Sequence, residues 1–145
     1  VGASDARAQS NAHSALTSEL TVFRSPTCGC CHDWVNYMSA AGFSINDNIT
    51  AEMDSVKQTY GVSEELSSCH TAVIDGYVIE GHVPAADVRR LLIEKPSVVG
   101  ITAPGMPVGS PGMEMEMGDR VDDYIVYTFT AQGKALPFAQ HLQGE

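Results

Sequence analysis

Three thiols fall within four residues at Cys28-Gly29-Cys30-Cys31, and His32 follows them directly. Cys28 and Cys31 have the Cys-x-x-Cys spacing, close enough to form a disulfide or to share a metal. Cys30 adds a sulfur for which a plain dithiol enzyme has no use. The apolar run Leu20-Thr21-Val22-Phe23 precedes the group, and Asp33-Trp34-Val35-Asn36-Tyr37-Met38 follows it. That order reads as strand, tight turn and helix. The cysteines then sit at a helix N-terminus, where unpaired N–H groups and the positive end of the helix dipole favour thiolate over thiol. A fourth cysteine lies far along the chain, in Cys69-His70, just ahead of Thr71-Ala72-Val73-Ile74.

The elements needed to bring these two places together are legible in outline. Residues 20–24 read as a strand and 28–41 as a helix, with Trp34, Val35, Met38 and Ala41 at helical spacing and Gly42 as its stop. Phe43 to Asn46 reads as a second strand and Ala51 to Tyr60 as a second helix, ended by Gly61. Ser63 to Leu66 is a candidate short turn. Asp75-Gly76 is a hairpin signal between Thr71–Ile74 and Tyr77–Glu80. Pro84 suits the first position of a third helix with Val88, Leu91 and Leu92 inward, closed by Lys95-Pro96. Strand-helix-strand-helix-strand-strand-helix is the thioredoxin order, so an α/β fold with a mixed sheet flanked by helices is expected over 19–98. In that order the segment entering the third strand passes beside the Cys-x-x-Cys turn. Cys69 and His70 should therefore lie against Cys28, Cys30 and Cys31.

Residues 99–145 differ in composition. The stretch Ala103 to Gly112 is too rich in Pro and Gly for a helix or a central strand, and long loops of this kind are usually functional or disordered. Met113, Met115 and Met117 alternate with Glu114 and Glu116, so an extended segment would put three thioethers on one side. The alternative is a half-buried strand that uses Met as filler. Tyr124–Thr130 and Ala135–His141, with Gln132-Gly133 between them, read as a terminal β-hairpin. Residues 1–18 are taken as a flexible lead-in without the apolar core of an intact signal peptide, and His13 there as a solvent residue.

The donor set limits the metal. Zinc prefers a closed tetrahedral shell from separated Cys/His pairs, and vicinal Cys30-Cys31 would struggle to aim both sulfurs at one such ion. The spacing matches neither cysteine run described for ferredoxins. Soft Cu(I) shares sulfur ligands readily, so crowded thiolates with nearby thioethers point to copper. Candidate ligands are Cys28, Cys30, Cys31, Cys69, His70, His82, Met113 and Met115; Cys28 and Cys31 are the candidate redox pair. His32 is near the cysteines but can point to water, and His141 reads as structural or exposed.

With Lys+Arg 8 against Asp+Glu 18, the formal charge is −10, which argues against nucleic acid and anionic membrane surfaces as partners. No apolar stretch approaches the roughly 20 residues needed to span a bilayer, so no membrane insertion is expected. At 43% hydrophobic residues the chain can bury a substantial core without disulfide staples.

Several motifs together resemble the CopG-like bacterial copper-resistance proteins: Ser25 to Cys31, Ser68 to Val73, Val78 to Pro84, and Pro104 to Glu114. The resemblance runs from about Leu20 to the C-terminus. It implies a periplasmic protein, its signal peptide removed, with a thioredoxin domain and a metal-binding C-terminal extension. It also implies several copper ions clustered at Cys28, Cys30 and Cys31 and bridged by cysteine sulfur, with Cys69 as the distal cysteine. A role in interconverting Cu(I) and Cu(II) before efflux goes with it, making copper ions and periplasmic efflux components the expected partners of a monomer. Two alternatives remain open on the residues: a thiol–disulfide oxidoreductase in which Cys28 attacks and Cys31 resolves, and a passive copper carrier.

Overall fold

The computed structural model describes residues 19–113 and 122–142. The sheet has seven strands in the order β2-β1-β3-β4-β5-β6-β7. Strand β1 (Glu19–Arg24) leads to helix α1 (Gly29–Ala40) and strand β2 (Ser44–Ile49), which returns parallel to β1. Helix α2 (Met53–Thr59) and a single 3-10 turn (Glu64–Leu66) follow. Strands β3 (Thr71–Ile74) and β4 (Tyr77–Glu80) form an antiparallel hairpin, with β3 also antiparallel to β1. Helix α3 (Ala85–Glu94) then crosses over to β5 (Gly100–Thr102), which runs parallel to β4. Strands β6 (Tyr124–Phe129) and β7 (Ala135–His141) complete the sheet, each antiparallel to its neighbour.

Side-chain alternation along the strands assigns the two faces. Leu20 and Val22 of β1, Ala72 and Ile74 of β3, Ile79 of β4 and Ile101 of β5 enter one core with Trp34, Val35 and Met38 of α1 and Val88, Leu91 and Leu92 of α3. A smaller core on Val78, Val62, Leu66 and Phe129 is joined by Tyr60, Val99 and Ala135. The β3–β4 turn is built as its residues require: Asp75 and Gly76 both have positive φ, 50° and 83°, the conformation that a tight two-residue hairpin demands.

Two differences from the sequence reading have physical causes. Strand β5 lies just ahead of the Pro/Gly-rich stretch 103–112, where the sequence reading placed no element. It has three residues, too few to show a period, and it opens on Gly100, where any Cβ would collide with the backbone of Val78. Strand β2 extends beyond Asn46 through Asp47 and Asn48, residues with poor strand propensity, to Ile49. It lies at the sheet edge and is held by a two-pronged ion pair, Arg24 Nε and a terminal guanidinium nitrogen each 2.8 Å from an Asp47 carboxylate oxygen. No helix among the described residues is long and apolar enough to cross a membrane.

Candidate metal centre

The first half of the site grows from the C-terminal end of β1. After Arg24 the chain turns through Ser25-Pro26-Thr27, closed by the Cys28 N–H donating to Ser25 O at 3.2 Å. Cys28 then caps α1: its Sγ accepts from the backbone N–H of Cys31 at 3.3 Å, satisfying one of the orphan donors of the first turn. Cys28 and Cys31 are joined as a disulfide, and Cys30 and Cys69 are free. Cys31 is fully buried, whereas Cys30 and Cys69 are half-buried. The Sγ atoms of Cys28 and Cys30 are 3.6 Å apart.

The second half comes from the segment entering β3 and from the end of β4. The sulfurs of Cys28, Cys30, Cys31 and Cys69 all lie within 4.8 Å of one another. Cys69 Sγ is 2.9 Å from His82 Nε2 and 3.4 Å from His70 Nδ1, so Cys69, His70 and His82 make a second group that shares one sulfur with the first. His82 Nδ1 lies 2.6 Å from the carbonyl oxygen of Pro111 and donates to it, which leaves Nε2 as the acceptor facing Cys69. His70 packs at 4.4 Å centroid distance on Trp34 and at 5.0 Å, edge on, to His82. Its Nε2 is buried without a hydrogen-bond partner among the described residues.

Burial sets the protonation of these groups. It pushes the Cys69 thiol up to about 12, with the nearby Cys30 acting in the same direction. It drives His70 well below its ordinary value of 6.5, with His82 and Lys57 adding repulsion. In the metal-free protein the site thus holds a protonated thiol and a neutral imidazole. A soft cation bound there would replace the thiol proton and meet imidazole in its ligating form.

Three features that the sequence reading did not assign to the site hold it in place. Glu80, fully buried at the end of β4, accepts from the Ser68 N–H at 2.8 Å through Oε2 and from the Thr71 hydroxyl at 2.6 Å through Oε1. Lys57 of α2 donates to the same Oε2 and to the Thr71 hydroxyl. The carboxylate therefore grips the chain on both sides of Cys69-His70. Trp34, which the helical spacing marks as core, donates its indole N–H to Val83 O at 3.0 Å and forms the floor under His70. Gly112 lies against the site from above. With φ +86°, a Cβ there would stand 2.8 Å from His82 Nδ1, 2.9 Å from Trp34 N and 3.1 Å from Cys30 O.

The candidate residues fall into four groups. Cys28, Cys30, Cys31, Cys69, His70 and His82 come together. Met113 follows Gly112 in the chain, in a turn closed by its own N–H donating to Ser110 O at 2.7 Å. Met115 and Met117 lie outside the described residues. His32 is exposed, and His141 instead bonds Asp87 at 2.7 Å between β7 and α3.

A mixed α/β fold with four sulfurs and two imidazoles gathered at one end of its sheet defines a cysteine-centred protein able to hold metal. A family described as "Protein of unknown function, DUF411" matches residues 66–113, the segment that carries Cys69, His70, His82 and Gly112. A solved structure of the copper resistance protein CopG, Form 2, is 46% identical with a TM-score of 0.80, covering 87% of this chain and 99% of that one. The Form 1 structure is 49% identical with a TM-score of 0.78, covering 84% of this chain and 95% of that one. No curated protein matches the chain. The chain belongs to the CopG family of copper-resistance proteins.

Proposed function

We propose that this chain is a periplasmic copper-binding redox protein of thioredoxin-like build, taking Cu(I) and Cu(II) as its substrates. The observation that carries the reading is the gathering of four cysteine sulfurs within 4.8 Å, two of them already paired as a disulfide. Reduced, Cys28, Cys30, Cys31 and Cys69 offer a crowded thiolate group suited to several Cu(I) ions that share sulfur. His70, His82 and the thioethers of Met113 and Met115 complete or cover it. The buried, unpartnered Nε2 of His70 and the fit of the donors to a soft cation support copper. The names borne by the two solved relatives support it independently. The strand order β2-β1-β3-β4, with one parallel and two antiparallel joins, supports the thioredoxin likeness.

Oxidation of the Cys28–Cys31 pair joins the two sulfurs, releases two protons and passes two electrons to two Cu(II) ions, leaving two Cu(I). Because a disulfide is a poor ligand, the change also lowers affinity for the product, coupling electron transfer to release. Reduced metal-free protein titrated anaerobically with Cu(I) against a chromophoric chelator should bind several ions per chain, and Cys30→Ser should bind fewer. An unchanged stoichiometry in that variant contradicts a shared-sulfur cluster.

One observation favours a second reading: the disulfide caps a helix N-terminus, the place where dithiol oxidoreductases lower the pKa of their attacking thiol. That reading predicts metal-free disulfide reduction of a protein substrate, at a rate indifferent to Cys30→Ser.

A further inference from the structure

Cys30 and Cys69 are the two cysteines outside the disulfide, and both keep some access to solvent. Cys30 projects from the first turn of α1, and Cys69 from the segment that Glu80 grips at Ser68 and Thr71. Their sulfurs lie within the same 4.8 Å group. A disulfide needs its sulfurs at about 2.05 Å, and rotation about the two Cα–Cβ bonds is the motion that closes the gap.

We propose that Cys30 and Cys69 form a second dithiol–disulfide couple beside Cys28 and Cys31, so that the site stores four removable electrons instead of two. The inference rests on the redox reading of this same site. Closing the second bond joins Cys30 Sγ to Cys69 Sγ. Two thiol protons go to solvent and two electrons go to two cupric ions, which become two cuprous ions. With both couples closed, one chain converts four Cu(II) into four Cu(I). All four sulfurs are then tied up, and only imidazole and thioether donors remain. The pairing follows from position. Cys30 can reach Cys28, 3.6 Å away, but exchange there would leave a free thiol on Cys31, which is fully buried and already bonded. Cys69 offers Cys30 a partner without disturbing that bond.

The test uses the full chain, reduced, metal-free and under nitrogen. One portion is treated with diamide, a thiol oxidant that needs no copper, and one with excess cupric ion. Free thiols are then blocked and the chain is cut with trypsin. Cleavage at Arg24, Lys57 and Arg89 places Cys28, Cys30 and Cys31 on peptide 25–57 and Cys69 on peptide 58–89. The expected result is that both oxidants join the two peptides with no cysteine left to block, and that the cupric portion yields four Cu(I) per chain. Cys30→Ser should leave the peptides separate and yield two. Peptides that stay apart, with Cys30 and Cys69 both blocked, overturn the second couple, as do peptides that remain joined in Cys30→Ser. If diamide joins them while cupric ion yields no Cu(I), the second couple stands and the copper redox reading fails.

Discussion

Glu80 has no exposed surface, yet its carboxylate serves three donors, and two of them flank Cys69-His70. A carboxylate at that depth is tolerable only when paired and hydrogen-bonded, and removing one partner of a buried pair typically costs about 3–5 kcal/mol. Lys57 keeps 15% of its side chain exposed and can turn partly to water, so Glu80→Ala should fall toward the lower end of that range. Stability alone would not separate a positioning role from a structural one. The discriminating readout is the rate at which iodoacetamide alkylates Cys69 relative to Cys30 in the folded, metal-free protein. Loosening Ser68 and Thr71 should raise that ratio several-fold in Glu80→Ala, and less in Glu80→Gln, which keeps an acceptor oxygen. An unchanged ratio would mean that Glu80 supports the fold and does not hold Cys69. Nothing in the linear pattern marks this residue: Tyr77-Val78-Ile79-Glu80 reads as a strand with a polar end. Only the arrival of Ser68, Thr71 and Lys57 from three other places shows that the end is buried.

At the scale of elements, the site depends on a turn, a helix cap and a loop meeting at one end of the sheet. The turn and cap are legible because the chemistry is local: an apolar run, a Cys-rich turn and a helical stripe occupy consecutive residues. The meeting of Cys69 with Cys30 follows from the strand order, so it is legible once that order is known. The loop is legible only as composition, since Pro and Gly say that residues 103–112 are irregular but not where they lie. Gly112 shows where, and it tests the loop's role. Alanine there must adopt a left-handed backbone, about 1–2 kcal/mol for a residue with a Cβ, and must also displace His82 or Trp34. Gly105→Ala is the matched control, because its φ is +74° and a Cβ there meets nothing within 4 Å. Gly112→Ala should weaken Cu(I) binding roughly ten-fold or more, equivalent to about 1.4 kcal/mol, with its thiol count unchanged. Gly105→Ala should leave affinity near that of the parent chain. Equal losses in the two variants would show that the loop's contact with His82 does not matter to binding.

Across the whole molecule, one sheet connects the cysteine-bearing half to the C-terminal hairpin through β5, a strand too short to announce itself. The hairpin is tied back to α3 by His141 on Asp87 and by Arg90, which lies 4.0 Å over the Phe138 ring. The Gly/Pro loop, residues 103–112, follows β5 and lies against the site at Gly112. Asp122 closes it by accepting from the Val108 N–H at 3.0 Å. This architecture brings two imidazoles to four sulfurs, and the proposed function stands or falls on whether those sulfurs bind copper. X-ray absorption at the copper edge, on reduced protein loaded with Cu(I) under nitrogen, tests that most directly. The expected spectrum has a first shell dominated by sulfur, with copper neighbours in the second shell and loss of those neighbours in Cys30→Ser. A first shell of nitrogen and oxygen alone, identical in the parent and in Cys30→Ser, would contradict it.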